Sequence, residues 1–152
     1  PLQGLFDYQR LSAQLVREAQ AGGGKLDLLI WPESAVRTPP PMIQRQPEGA
    51  AEPVTELANT RRRYPLDVLS IFPSPIAPAE DFSVDSSVAG TDHLLAVQRG
   101  HTVPLLFGTT LEDVSPGAVG PIAGRAPLYN SAVLVDAAGK VQGVVKKVKL
   151  LI

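Results

Sequence analysis

Residues 28–36 read LLIWPESAV, and their reading decides the fold. Four apolar residues, Leu28 to Trp31, run into Pro32, whose ring removes the backbone N–H that a strand ladder needs. Glu33 therefore stands at the carboxyl end of a buried strand, expected over Leu26 to Trp31. A carboxylate there is either a working group or a strand-end side chain turned out to water, and this stretch alone leaves the two evenly weighted.

The sequence before it predicts a helix over residues 7–20, with Asp7 as N-cap and Tyr8, Leu11, Leu15 and Ala19 on its inward face. Gly22 to Gly24 stop that helix. AGGGK at 21–25 resembles half of a phosphate loop, but it precedes a strand rather than joining strand to helix, so a helix stop is the better reading. Helix, glycine loop and apolar strand in this order indicate an α/β layer protein.

From Arg37 to about Ser87 the prolines are too dense for long regular elements. A short helix from Pro53 to Arg62 and a strand over 66–72 are the exceptions expected there. A loop-rich insertion of this length inside a domain is commonly functional. Regularity returns with a helix over residues 90–100 closed by Gly100, then a buried strand in TVPLLFGTT, with Gly108 where that strand opens into a loop. A hairpin follows, Ala132 to Val135 and Val141 to Val148, turning at DAAGK.

The chain has 152 residues, the size of one domain, and its 15 acidic and 14 basic side chains nearly cancel. That balance gives no general attraction to nucleic acid. There is no cysteine, hence no disulfide, thiolate metal site or thiol nucleophile within these residues. No apolar run is long enough to span a bilayer, and the first residues lack the order of a signal peptide. His93 and His101 lie too far apart for one helical turn and lack companions, so no zinc site and no cofactor are expected. There is no G-x-S-x-G elbow. Arg61 to Arg63 read as a solvated helix end, with a lipid headgroup contact as the lesser alternative. The chain starts without Met and stops inside an apolar run, so both ends are expected to be cut.

A second charged candidate lies in VVKKVKLL, residues 144–151. Alternation puts Lys147 and Lys149 on one face with Val145, and Lys146 on the other with Val144 and Val148; it does not say which face is buried. A carboxylate and an ammonium at one end of a sheet can serve as base and electrophilic stabiliser. The plainer reading is a lysine-rich edge strand facing water.

WPESAV, VPLLFGTT and YNSAVLVDAAGKVQGVVKKVKLL, in that order, resemble the signatures of the nitrilase (carbon-nitrogen hydrolase) superfamily, and within it the catalytic domain of the apolipoprotein N-acyltransferases. The resemblance covers nearly all of the chain outside residues 37–87 and implies an α-β-β-α sandwich, of which residues 1–152 are a partial catalytic domain with a Pro-rich insertion or arm. It also implies a Glu-Lys-Cys triad. Glu33 falls on the general base and Lys147 on the lysine that stabilises the tetrahedral intermediate, with Lys149 as a same-face fallback and Lys146 less favoured. The cysteine, in this family, follows the lysine and so falls after Ile152. Two positions depart from the pattern: Val145 stands where an aromatic residue is usual, and Lys149 where His is frequent. The implied activity moves an acyl chain from a phospholipid, through a cysteine thioester, to the amino terminus of a diacylglyceryl-modified lipoprotein. The implied setting is a bacterial inner membrane, reached through segments outside these residues, with the catalytic domain on the periplasmic side. Met42, Ile43, Ile71, Phe72, Ile76 and Phe82 would suit arms over a lipid-facing cleft, or an ordinary surface loop. A cytoplasmic amidase of the same superfamily and a triad-deficient binding domain are the alternatives.

Overall fold

A computed structural model of the chain describes residues 3–36, 42–43, 97–120, 122–123 and 125–147. They form a mixed α/β unit: α1 (Gln3–Ala21), β1 (Leu29–Ile30), β2 (Met42–Ile43), β3 (Leu105–Asp113), β4 (Leu128–Val135) and β5 (Val141–Lys146). The sheet runs β1-β3-β4-β5. β1 and β2 lie one after the other along the same side of β3, both parallel to it, whereas β3–β4 and β4–β5 are antiparallel. The expected short helix at 53–62, the strand at 66–72 and Lys149 lie outside the described residues. Residues 42–43, read above as part of an irregular stretch, instead pair with Glu112 and Asp113.

Register assigns the two faces. Leu29, Leu105, Phe107, Val133 and Val135 share one face, and all are buried. Trp31 continues that face, its ring 6.3 Å from Phe107 and stacked at 5.3 Å on Tyr8 of α1. Fully burying a side chain the size of Phe107 stabilises the fold by roughly 1.5–3 kcal/mol. The opposite face carries Ile30, Leu134 and Val145, which are 67%, 37% and 70% exposed. The run 28–31 was expected to be buried throughout; only Leu29 and Trp31 are, because α1 covers one face of the sheet.

The inward face of α1 also differs from expectation. The helix begins before Asp7, which is not its cap but an outward side chain 3.9 Å from Arg10. The buried stripe is Leu5, Phe6, Gln9, Ser12, Ala13 and Val16, while Leu11 and Leu15 are about half exposed. The cause lies in Trp31: a buried indole N–H needs an acceptor, and Nε1 donates to Ser12 Oγ at 2.8 Å. Turning the Ser12 and Ala13 side inward satisfies that donor and admits the ring. The helix stops as expected, with Gly23 at φ 76° and the Gly24 N–H donating to the Ala19 carbonyl at 2.8 Å.

The hairpin is present, with β4 starting earlier than expected, at Leu128, and β5 ending at Lys146. Its turn is organised by Asp136, whose carboxylate accepts the backbone N–H groups of Lys140 and Ala138 and the side-chain amide of Gln142. Those bonds, Lys140's first, hold the Asp136 carboxyl below its ordinary value. Gly139 takes φ 77° in the same turn. Of the helix expected over 90–100, the described part is a turn, with Val97 buried and Gly100 closing it at φ 81°.

His101 follows that turn, 4% exposed, with its Nδ1 accepting the Val103 N–H at 3.2 Å. Burial pushes its imidazole down from 6.5 to about 4. The folded state thus resists a proton that the unfolded chain accepts, so the contribution of His101 to stability is complete above pH 6.5 and lost as pH falls from there toward 4. At about 1.4 kcal/mol per pH unit, acidification from pH 6.5 to 5 should cost roughly 2 kcal/mol. Asp113 titrates elsewhere. Burial raises its carboxyl, but hydrogen bonds from Lys146 and Ser115 outweigh that and hold it below 3.8, so its contribution is lost only under that pH. Urea denaturation at pH 7 and pH 5 should show the loss in the wild type and a much smaller one in His101→Gln; equal losses would assign the acid sensitivity to another group.

Candidate functional site

After β1 the chain leaves the ladder at Pro32 and turns back within four residues, the Ala35 N–H donating to the Pro32 carbonyl at 3.3 Å. Both ends of this turn are tied to β3. The Trp31 N–H donates to Leu106 at 2.8 Å, the Val36 N–H to Gly108 at 3.3 Å, and Thr109 Oγ1 to the Val36 carbonyl at 2.8 Å. Ser34 sits at φ 60°, a left-handed conformation that costs a non-glycine residue roughly 1–2 kcal/mol. Strain of this size persists where the surroundings over-determine the backbone, and here it falls on the residue after Glu33.

The turn lies directly on Gly108. A Cβ at that position would stand 2.6 Å from Glu33 Cα, 2.8 Å from the Pro32 carbonyl oxygen and 2.9 Å from the Ser34 nitrogen. The sequence reading placed Gly108 where the strand opens into a loop; β3 instead continues unbroken to Asp113. The glycine is there because the Glu33 backbone crosses over it.

Lys147 follows β5 and extends its pairing, the Lys147 N–H donating to the Asn130 carbonyl at 2.8 Å. Its Nζ lies 3.7 Å from Glu33 Oε1. The Asn130 side-chain amide donates to the same oxygen. Among the described residues Glu33 Oε2 carries no hydrogen bond. These groups line a cleft of about 370 Å³, whose walls also include Ile30, Phe107 and Val145. An ion pair this exposed contributes at most about 1 kcal/mol to stability, so folding does not require the arrangement.

The two candidates far apart in sequence, Glu33 and Lys147, are thus brought together. Lys146 is not with them: it lies on the opposite face, paired with Asp113 and 4.3 Å above the Tyr129 ring. Asn130 was overlooked as a site residue. Its one signal was its place in YNSA beside the strand, since an amide has no charge or periodicity to mark it.

Chemically, a carboxylate with one free oxygen beside an ammonium can take a proton from a nucleophile and stabilise an oxyanion. Compared with models of known families and with curated proteins, the chain matches none.

Proposed function

We propose that this chain supplies the base and the cation of a nitrilase-type Glu-Lys-Cys site in an apolipoprotein N-acyltransferase. The observation that carries the reading is the approach of Lys147 Nζ to Glu33 Oε1, 3.7 Å, from distant parts of the sequence. In this reading Glu33 takes the proton of a cysteine thiol, and the thiolate attacks the ester carbonyl of a phospholipid. Lys147 stabilises the tetrahedral oxyanion. Collapse breaks the ester bond, and the departing lysophospholipid alkoxide takes the proton from Glu33, leaving a thioester. The α-amine of the lipoprotein's terminal cysteine then attacks that thioester, gives up a proton to Glu33 and forms the amide as the thiolate leaves. These 152 residues hold no cysteine, so the thiol comes from residues other than these.

The one-sided sheet supports the sandwich that goes with this chemistry. Among the described residues Ile30, Leu134 and Val145 form an exposed apolar face, and in an α-β-β-α arrangement a second sheet packs on that face. No described helix is long and apolar enough to cross a membrane. The membrane attachment proposed here belongs to other segments.

The test uses the complete gene product, a phospholipid labelled in its acyl chain, and a synthetic peptide with an amino-terminal diacylglyceryl cysteine. The expected product is the labelled peptide, joined through an amide that resists hydroxylamine. Ammonia release from small amides without acyl transfer would establish the amidase alternative, and neither reaction would leave a binding domain.

A further inference from the structure

We infer that Asn130 is the positioning residue of this site, orienting the Glu33 carboxylate so that Oε2 is the oxygen that accepts the proton; this rests on the function proposed above. A carboxylate only accepts hydrogen bonds, so the group Asn130 turns toward Glu33 is its amide N–H. That bond and Lys147 both engage Oε1, leaving Oε2 without a hydrogen bond among the described residues.

Geometry suits Asn130 to this role. It lies on β4, paired with Thr110 of β3 on one side, while its carbonyl receives the Lys147 N–H at 2.8 Å on the other. One residue of a central strand therefore ties both charged partners, the side chain holding Glu33 and the backbone holding the start of the Lys147 segment. Glu33 stands on a turn with an exposed side chain, and an exposed ion pair does not by itself fix a carboxylate rotamer. Removing the amide frees the carboxylate to swing toward Nζ, where both oxygens face the ammonium. Displacements of about 1 Å at a reacting group cost on the order of 10²-fold in rate.

The experiment compares Asn130→Ala and Asn130→Asp with wild type in the complete gene product, under the acyl-transfer assay. Asp keeps the size and lacks the donor. Both variants should lose about 10²-fold in kcat with KM within about twofold and thermal stability nearly unchanged. In a Glu33→Gln background, Asn130→Ala should cause no further loss. In parallel, the side-chain amide resonances of 15N-labelled Asn130 should move on Glu33→Gln substitution. A kcat within threefold of wild type in either variant, while Glu33→Gln is inactive, would overturn the positioning role and leave the proposed function standing. Amide resonances indifferent to Glu33→Gln would overturn it as well, with no reference to activity. If Glu33→Gln itself retains full activity, both this inference and the functional reading fall.

Discussion

Under the proposed function, Glu33→Gln in the complete gene product is expected to lower acyl transfer by about 10³-fold or more with folding stability changed by less than about 1 kcal/mol. Loss of a general base typically costs 10²–10⁴-fold, and glutamine keeps the shape while removing the ability to take a proton. The small stability change follows from exposure: the Glu33 and Lys147 side chains are 64% and 42% exposed, where an ion pair contributes little. Lys147→Ala should cost about 10²–10³-fold, the usual price of removing one oxyanion-stabilising group. Because the residues act as a unit, the double variant should be scarcely worse than Glu33→Gln alone. Steady-state kinetics with urea denaturation on the same preparations separate the two effects. Activity within a few-fold of wild type in either single variant would remove that residue from the site.

Gly108→Ala should act on folding and on the site together, and the sign of its effect decides the explanation of the glycine. In the interior of a strand, replacing glycine by alanine ordinarily stabilises by about 0.5–1 kcal/mol through reduced chain entropy. At this position the new methyl carbon meets three backbone atoms of the Glu33 turn, the nearest at 2.6 Å, and backbone cannot rotate aside as a side chain can. The expected net result is destabilisation of roughly 1–3 kcal/mol, the range seen for overpacking. The turn must also lift away from β3, carrying Glu33 with it, so activity should fall about 10²-fold even at temperatures where the variant is fully folded. Denaturation and kinetics on the same variant test this. A variant as stable as wild type or more so would show that the turn does not rest on Gly108.

Much of the framework was legible because it depends on neighbours in sequence. The halt of α1 at the glycine run, the end of β1 pairing at Pro32 and the Asp136–Gly139 turn each follow from local backbone chemistry. The inward face of α1 was not legible. The pattern over residues 7–20 puts Tyr8, Leu11, Leu15 and Ala19 on one face, yet the buried stripe contains Gln9 and Ser12, because the demand of the Trp31 indole for an acceptor arises only once β1 packs on the helix. Nor was the burial of one side only of residues 28–31, since an apolar run does not reveal how many faces of a sheet are covered.

The same division holds at the site. Sequence alone determined that Glu33 follows an apolar strand, though that strand is shorter than the expected Leu26 to Trp31, that Lys147 and Lys146 point to opposite faces, and that these residues hold no thiol, since each follows from residue identity or from the two-residue period of a strand. Tertiary structure decided that Lys147 and not Lys146 meets Glu33, that Gly108 is the bed of the Glu33 turn, and that Asn130 holds the carboxylate. Those facts depend on β3 lying between β1 and β4 and on β5 pairing beyond them. Strand order and register join residues distant in the chain, and no local pattern records them.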